Sequence, residues 1–528
     1  MAIALLICTG LLPVLVQAQN PRGTLRGEVQ DLSGARIAGA RVVAQSTGSS
    51  LSKEGQTDER GEFRIEGLLP GTYHVVVTAR GFADAASDLD VVVSMVRDVT
   101  VTLKPAVAPQ SVNVEGKASS ITSEPIDISS AVHQGAVSSR DLETIPLAHR
   151  SFANIAYLVP GTQPVEPSDP TKARITAVAF GGSSGLNVDL SVDGGDNSDD
   201  YIGGFLQNFS ADAIQEFAVR TSNEEADTGR TVGGSVVITT KHGTNDWHGS
   251  GAFYERASGL NARFPIDNPP PQPKQPFSRQ NYVATLGGPL HKDKFWIFGS
   301  FEGVHENASI NYNPGNLAEF HALSSLAAAG LIHGVNLEGQ PVGVDSIPVP
   351  NSVKVPFRDY MGSLRFDWAQ SSRSQWFLRG SLDNYTTNND LVQQATLPST
   401  GATSGSKYTN VVLNNQMTFS PTWLGSFTFD ASFLHHTASR NQYLGFALAF
   451  PFSSTFSTIS GFETFGDNQF ATPITAFPVL RKQEKYQFRY DLSHASGKHS
   501  PKFGISLIHE PVLSGSLSGT EEGFLQYA

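Results

Sequence analysis

Cysteine is nearly missing from this chain. Of 528 residues only Cys8 is one, which leaves no pair for a disulfide. Long apolar runs are missing too. Beyond the N-terminus nothing approaches the ~18 consecutive apolar residues of a transmembrane helix. That excludes helical spans but not a membrane β-barrel, whose strands leave no such run. Basic charge is in deficit: 37 Lys and Arg face 49 Asp and Glu, a net charge of −12. This disfavours nucleic acid as a partner, because no basic patch is on offer. Methionine is scarce, 4 residues against 32 Phe and 50 Gly. A strand-rich chain spends its residues that way and a helical core does not.

Ligand and catalytic spacings are also wanting. The front of the chain has no His-x-x-Glu pair with a third ligand near it, so a zinc peptidase is not expected there. His435, His436, His494 and His499 have no carboxylate at ligand spacing and read as surface residues. Asp193, Asp196, Asn197, Asp199 and Asp200 crowd one short stretch, but not at the spacing of an EF-hand loop. They read as a solvated turn. No metal, cofactor or catalytic set is expected, and the chain does not read as an enzyme.

The organisation follows from composition shifts. Met1 to Ala18 is apolar and ends Val16-Gln17-Ala18, a secretory signal that lacks the usual early Lys or Arg. Cys8 lies inside it. The bulky Ile7 before it argues against lipidation. Residues 22–104 alternate short apolar strands with turns: Gly23 to Gln30, Ala40 to Gln45, Glu62 to Ile65, Tyr73 to Thr78, Val91 to Val93 and Val99 to Leu103. About seven strands in that length is β-sandwich spacing. Residues 105–117 are a Pro/Ala linker followed by a short β-prone segment, Ser111, Val112, Asn113, Val114 and Glu115. Residues 118–242 mix short helices and strands. Ser138 to Glu143 before Ile145-Pro146 reads as a capped helix stopped by proline. Val188 to Val192 runs into Asp193-Gly194, a tight-turn dipeptide.

From residue 243 onward the pattern changes. Leu364, Phe366 and Trp368 alternate with Ser363, Arg365 and Asp367. Trp376, Leu378 and Leu382 alternate with Gln375, Arg379 and Asp383. Trp423, Phe427, Phe429 and Phe433 alternate with Ser426, Thr428, Asp430 and Ser432. Tyr486, Phe488, Tyr490 and Leu492 alternate with Gln487, Arg489 and Asp491. An aromatic face towards lipid and a polar face towards a lumen explain this. About nine strands of ~10 residues are expected over 243–528, enough to cross a bilayer at a tilt. Their links alternate long and short, as extracellular loops and periplasmic turns do.

The junction carries a resemblance. Asp212 to Arg256, DAIQEFAVRTSNEEADTGRTVGGSVVITTKHGTNDWHGSGAFYER, is similar to a passage in TonB-dependent outer-membrane receptors of the Oar-like type. The front domain resembles the carboxypeptidase regulatory-like domain, a transthyretin-like sandwich, at Gly27, Asp31, Gly34, Gly39-Ala40, Thr57-Asp58, Gly61, Phe63, Leu68, Pro70-Gly71, Tyr73 and Gly81-Phe82. These are turn and core positions and imply a fold without an activity.

The resemblance implies an all-β dominated chain: a sandwich, an α+β plug and the first strands of a barrel of about 22. Nine strands cannot close such a barrel, so the chain is expected to be the N-terminal part of a longer receptor. Further implications are a plug motif at Asp193, Gly194, Gly229, Arg230, Gly233 and Gly234, and a contact segment at Ser111 to Glu115. There TonB, with its inner-membrane motor, would add a strand. The partners are then TonB, outer-membrane lipid and an unidentified extracellular ligand of the carbohydrate, siderophore or peptide class. The expected location is the outer membrane of a Gram-negative bacterium, with the front domain periplasmic. The rival reading is an outer-membrane surface binding or adhesion protein with a carbohydrate-binding sandwich and no active transport.

Overall fold

The structure, a computed structural model, describes residues 22–48, 51–93, 95–106, 120–123, 132–145, 150, 153–165, 177–183, 188–200, 204–223, 228–229, 231, 233–262, 274, 276–311, 325, 329, 333–335, 341–342, 352–390, 402–420, 422–440, 447–449, 479–494 and 501–516. The expected signal segment and the expected TonB contact at Ser111, Val112, Asn113, Val114 and Glu115 lie outside them, as do Arg230 and His499.

The front domain is a sandwich of two four-stranded sheets. Its strands are β1 (Gly23–Asp31), β2 (Arg41–Ser46), β3 (Ser52–Gln56), β4 (Glu62–Leu68), β5 (Gly71–Thr78), β6 (Ala85–Val91), β7 (Val96–Leu103) and β8 (Ser120–Ser123). One sheet has the order β4-β1-β7-β8 and the other β3-β2-β5-β6. Alternate residues such as Leu25, Val42, Phe63, Tyr73, Val75, Val77 and Val101 point between the sheets and form the core. The spacing missed β3, whose sequence SKEGQ has no apolar period. It also placed a strand at Val91 to Val93, whereas β6 ends at Val91. The sandwich takes β8 from beyond its expected limit at 104.

A second, smaller unit follows. It holds β9 (His133–Ser138), α1 (Ser139–Thr144), α2 (Ala153–Ala156), the pair β10 (Thr162–Val165) and β11 (Ala177–Phe180), then β12 (Asp189–Val192), β13 (Gly195–Asp196), β14 (Ile214–Ser222) and β15 (Ser235–Thr240). α1 starts as the sequence reads. Ser138 and Asp141 form a reciprocal capping box, which satisfies two orphan amides at the helix start. The five-stranded sheet has the order β13-β12-β15-β14-β9. Asp193 and Gly194 turn β12 into β13 with φ of 54° and 86°. Both positive angles match the turn that suits strand twist.

The third part is one sheet of nine strands in chain order: β16 (His248–Ala257), β17 (Phe277–His291), β18 (Phe295–Asn311), β19 (Ser352–Ala369), β20 (Ser374–Asp390), β21 (Ala402–Ser420), β22 (Trp423–Arg440), β23 (Val479–His494) and β24 (Lys502–Ser516). Every neighbouring pair is antiparallel. The short links at 292–294, 370–373, 421–422 and 495–501 share one end, and the longer ones at 258–276, 312–351, 391–401 and 441–478 share the other. Most strands run well past the ~10 residues that a tilted crossing needs.

Leu364, Trp368, Leu378, Leu382, Phe433 and Phe488 are exposed on the outer face, while Arg365, Arg379, Asp383 and Asp430 are buried on the inner one. The inner face is not uniformly polar. Phe357, Met361 and Tyr385 join the core of the smaller unit, and Tyr408 and Leu434 pack on its Leu206. His436 is buried beside Tyr385, so its expected surface role is corrected. It falls on the inward phase of β22, which a histidine pair in isolation does not reveal.

Candidate functional site

The five-stranded unit sits against the inner face of the nine-stranded sheet, and its acidic stretch makes the contact. This corrects the solvated turn. Asp193, Asp196, Asn197 and Asp199 are all buried, and cations from strands far along the chain meet them. Arg365 on β19 reaches Asp193 Oδ1 at 3.1 Å, and Arg379 on β20 reaches Asp193 Oδ2 at 2.8 Å. Asp193 also accepts from the Thr240 amide at 2.9 Å and the Thr240 hydroxyl at 2.7 Å. Arg365 turns its other side to Asp367 at 2.8 Å and lies over the Phe377 ring. On β23, Arg481 pairs with Asp199 at 2.7 Å, and Lys485 pairs with Asp196 at 2.9 Å and with Asp200. Lys485 also donates to the Ser198 carbonyl at 2.9 Å.

Uncharged groups fix the loop that carries these acids. Asn197 donates to the Gln207 carbonyl at 3.1 Å and accepts from the Gln207 amide at 2.9 Å. The Asn208 amide donates to Asp383 at 2.8 Å. Ser210 donates to Glu302 at 2.5 Å, which also accepts from Asn281 at 2.6 Å. Arg150 pairs with Asp212 and stacks on Tyr254 of β16.

Four carboxylates of one unit are thus neutralised by four cations of the other, out of water. Burial opposes the charge on Asp193. Arg365, Arg379 and the Thr240 bonds outweigh it and hold the carboxyl below its ordinary range. A depressed carboxylate contributes stability above its unfolded value of about 3.9, which is lost as pH falls through its folded value. The Asp193 part of the seat is therefore present at neutral pH and is lost in acid. A buried pair adds little over an apolar substitute, but losing one partner strands a charge. The arrangement fixes the position of the inner unit more than it adds stability.

The expected motif residues do not form one site. Asp193 and Gly194 lie at the end of β12 beside the wall. Gly233 and Gly234 lie at the opposite end, where β15 begins parallel to β12. Gly229 is half-buried next to the undescribed Arg230. Gly234 has φ 157°, and a Cβ there would come within 2.6 Å of the Arg220 carbonyl and of Phe180. Gly234→Ala is expected to cost roughly 3 kcal/mol through overpacking, read as a lower urea midpoint for the inner unit. Sequence reasoning missed Arg481 and Lys485 altogether. The available signal was a pair of cations on the inward phase of β23.

Comparison with known proteins agrees with this architecture. Residues 239–319 and 324–527 match the outer membrane beta barrel domain, and the chain belongs to that family. It is a protein of the outer membrane. Residues 24–104 match the carboxypeptidase regulatory-like domain. The chain is similar to the TonB-dependent transporter Oar of Myxococcus xanthus, 28% identical over 299 residues, covering 53% of this chain and 26% of that protein. Among solved structures it is similar to the outer membrane transporter YddB from Escherichia coli, with TM-score 0.48, 12% identity, and 71% of this chain and 48% of that one covered. The siderophore receptor PirA from Acinetobacter baumannii gives TM-score 0.48, 13% identity and the same coverage. The chain spans about a quarter of the length of Oar and about half of those two structures.

Proposed function

We propose that the chain serves as an energy-coupled import receptor of the outer membrane, with residues 118–242 as the plug of its barrel. The observation that carries this is the ion-paired seat of the small unit on the polar face of the nine-stranded sheet. A unit that had to stay put for good would be better held by apolar packing, because buried pairs are costly to desolvate. The long-link end would face the outside and the short-turn end the periplasm. A ligand of the carbohydrate, siderophore or peptide class would bind among the long links. TonB, driven by its inner-membrane motor, would grip Ser111 to Glu115 by strand addition and loosen the plug. No covalent step is required of the chain.

The test is binding of the purified periplasmic domain of TonB to the full chain. Proline cannot pair in an added strand. Val112→Pro and Val114→Pro are expected to weaken binding about tenfold or more, since backbone hydrogen bonds supply the grip. Unchanged binding would remove this segment from the account.

A further inference from the structure

The inner sheet is covered on both faces. Phe217, Val219, Val236 and Ile238 point into the unit's own core. The alternate residues Ala218 and Val237 point the other way, and strand alternation puts Glu216 on the same face as Ala218. The front sandwich covers that second face. Val93, in the turn after β6, is fully buried against Ala218 and Val237, and its amide donates to Glu216 Oε1 at 2.7 Å. The sandwich also touches the short-turn rim of the large sheet. The Asn245 amide donates to the Gly48 carbonyl at 3.0 Å. Ser493 of β23 donates to Glu66 of β4 at 2.5 Å.

We infer that the front sandwich is an intramolecular latch: docked beneath the inner sheet and onto the short-turn rim, it keeps the inner unit seated and must swing away before that unit moves. The inference rests on the plug reading only for its consequence in transport. The joint is built to separate. Among the described residues its apolar contacts are small: Val93 against Ala218 and Val237, and Gly67 against the Leu424 side chain of the rim. The rest is polar: the hydrogen bonds above, the buried Arg22 of the sandwich near Asp367, and a cavity of about 360 Å³ lined by Lys53, Arg64 and Glu66 of the sandwich and Arg373, Thr418 and Trp423 of the rim. When the sandwich leaves, little apolar surface meets water and Glu216 regains hydration. The sandwich's own core stays intact, because Val93 lies outside it.

The joint can be locked. A Cβ built on Gly48 lies 3.6 Å from the Thr244 Cβ, within the span of a disulfide. Cys8 is the only native cysteine and lies in the expected signal segment, so the Gly48→Cys/Thr244→Cys variant has one pair to oxidise once that segment is removed. The readout is hydrogen exchange of the β14 and β15 amides in lipid, with the reduced variant as its own folding control. Oxidation is expected to form the crosslink and slow that exchange about tenfold, and Val93→Asp to speed it about tenfold. The Val75 and Val77 amides of the sandwich should stay protected in both. The proposal is overturned if the crosslink does not form, or if oxidation and Val93→Asp both leave β14 and β15 unchanged. Exchange at these amides does not depend on TonB or on a ligand. A failed coupling test beside a positive result here would remove Ser111 to Glu115 from the transport reading and leave the latch standing.

Discussion

Lys485→Met is expected to unseat the inner unit. Lys485 is fully buried and stands between Asp196, Asp200 and, at 3.5 Å, Glu510. Methionine fills the space but leaves these carboxylates facing one another without a cation. Removing one partner of a buried pair costs about 3–5 kcal/mol, here charged to the contact between unit and wall. Urea titration of the full chain, followed by exchange at β12 to β15, should show an earlier loss of protection there than in the large sheet. Adding Asp196→Asn and Asp200→Asn should recover part of the loss, because of the stranded carboxylates only Glu510 then keeps its charge. A Lys485→Met chain with an unchanged midpoint would mean that the pairs do not hold the unit.

The joint between sandwich and inner sheet is expected to weaken as pH rises. Burial pushes the Glu216 carboxyl up to about 8 from its ordinary 4.5, with the Val93 amide pulling weakly the other way. The docked state therefore holds a proton between about pH 4.5 and 8 that the undocked state releases. With more protons bound on Glu216 in the docked state, this group's contribution to docking falls as pH rises through that window and levels off above it. At 1.36 kcal/mol per unit the full shift is worth at most about 4 to 5 kcal/mol. Exchange of the Val93 amide, measured from pH 5 to 9 and corrected for its intrinsic rate, should rise beyond that correction. Glu216→Gln should flatten the curve. A flat profile in the native chain would place Glu216 in water and contradict the docking.

Local pattern made much of this protein legible. The period of two in 360–368 and 423–433 gave β19 and β22 their faces, because lipid and lumen impose the alternation on every strand. Ser138 and Asp141 announced α1, and Asp193-Gly194 announced its turn, since caps and tight turns are decided within four residues. The seat could not be read. Asp193 and Arg365 are 172 positions apart and Asp196 and Lys485 are 289 apart, and nothing local distinguishes a carboxylate bound for such a partner from one bound for water. The same distance hid the role of Val93, which looked like the end of a strand and is a peg in another unit. The strand β8 lies beyond a linker that spacing treats as a boundary, so its return to the sandwich edge left no mark.

The most direct test of the seat is a double-mutant cycle between Asp193 and Arg379, both buried and 2.8 Å apart. Asp193→Asn, Arg379→Met and the double variant would be compared by the urea midpoint at which the inner sheet loses exchange protection. Contacting charged residues couple by up to about 3 kcal/mol. The account predicts a coupling of roughly 2 kcal/mol, with the double variant losing clearly less than the sum of the single ones. Strict additivity would mean that the two residues do not meet, and that the inner unit does not sit on the wall as described.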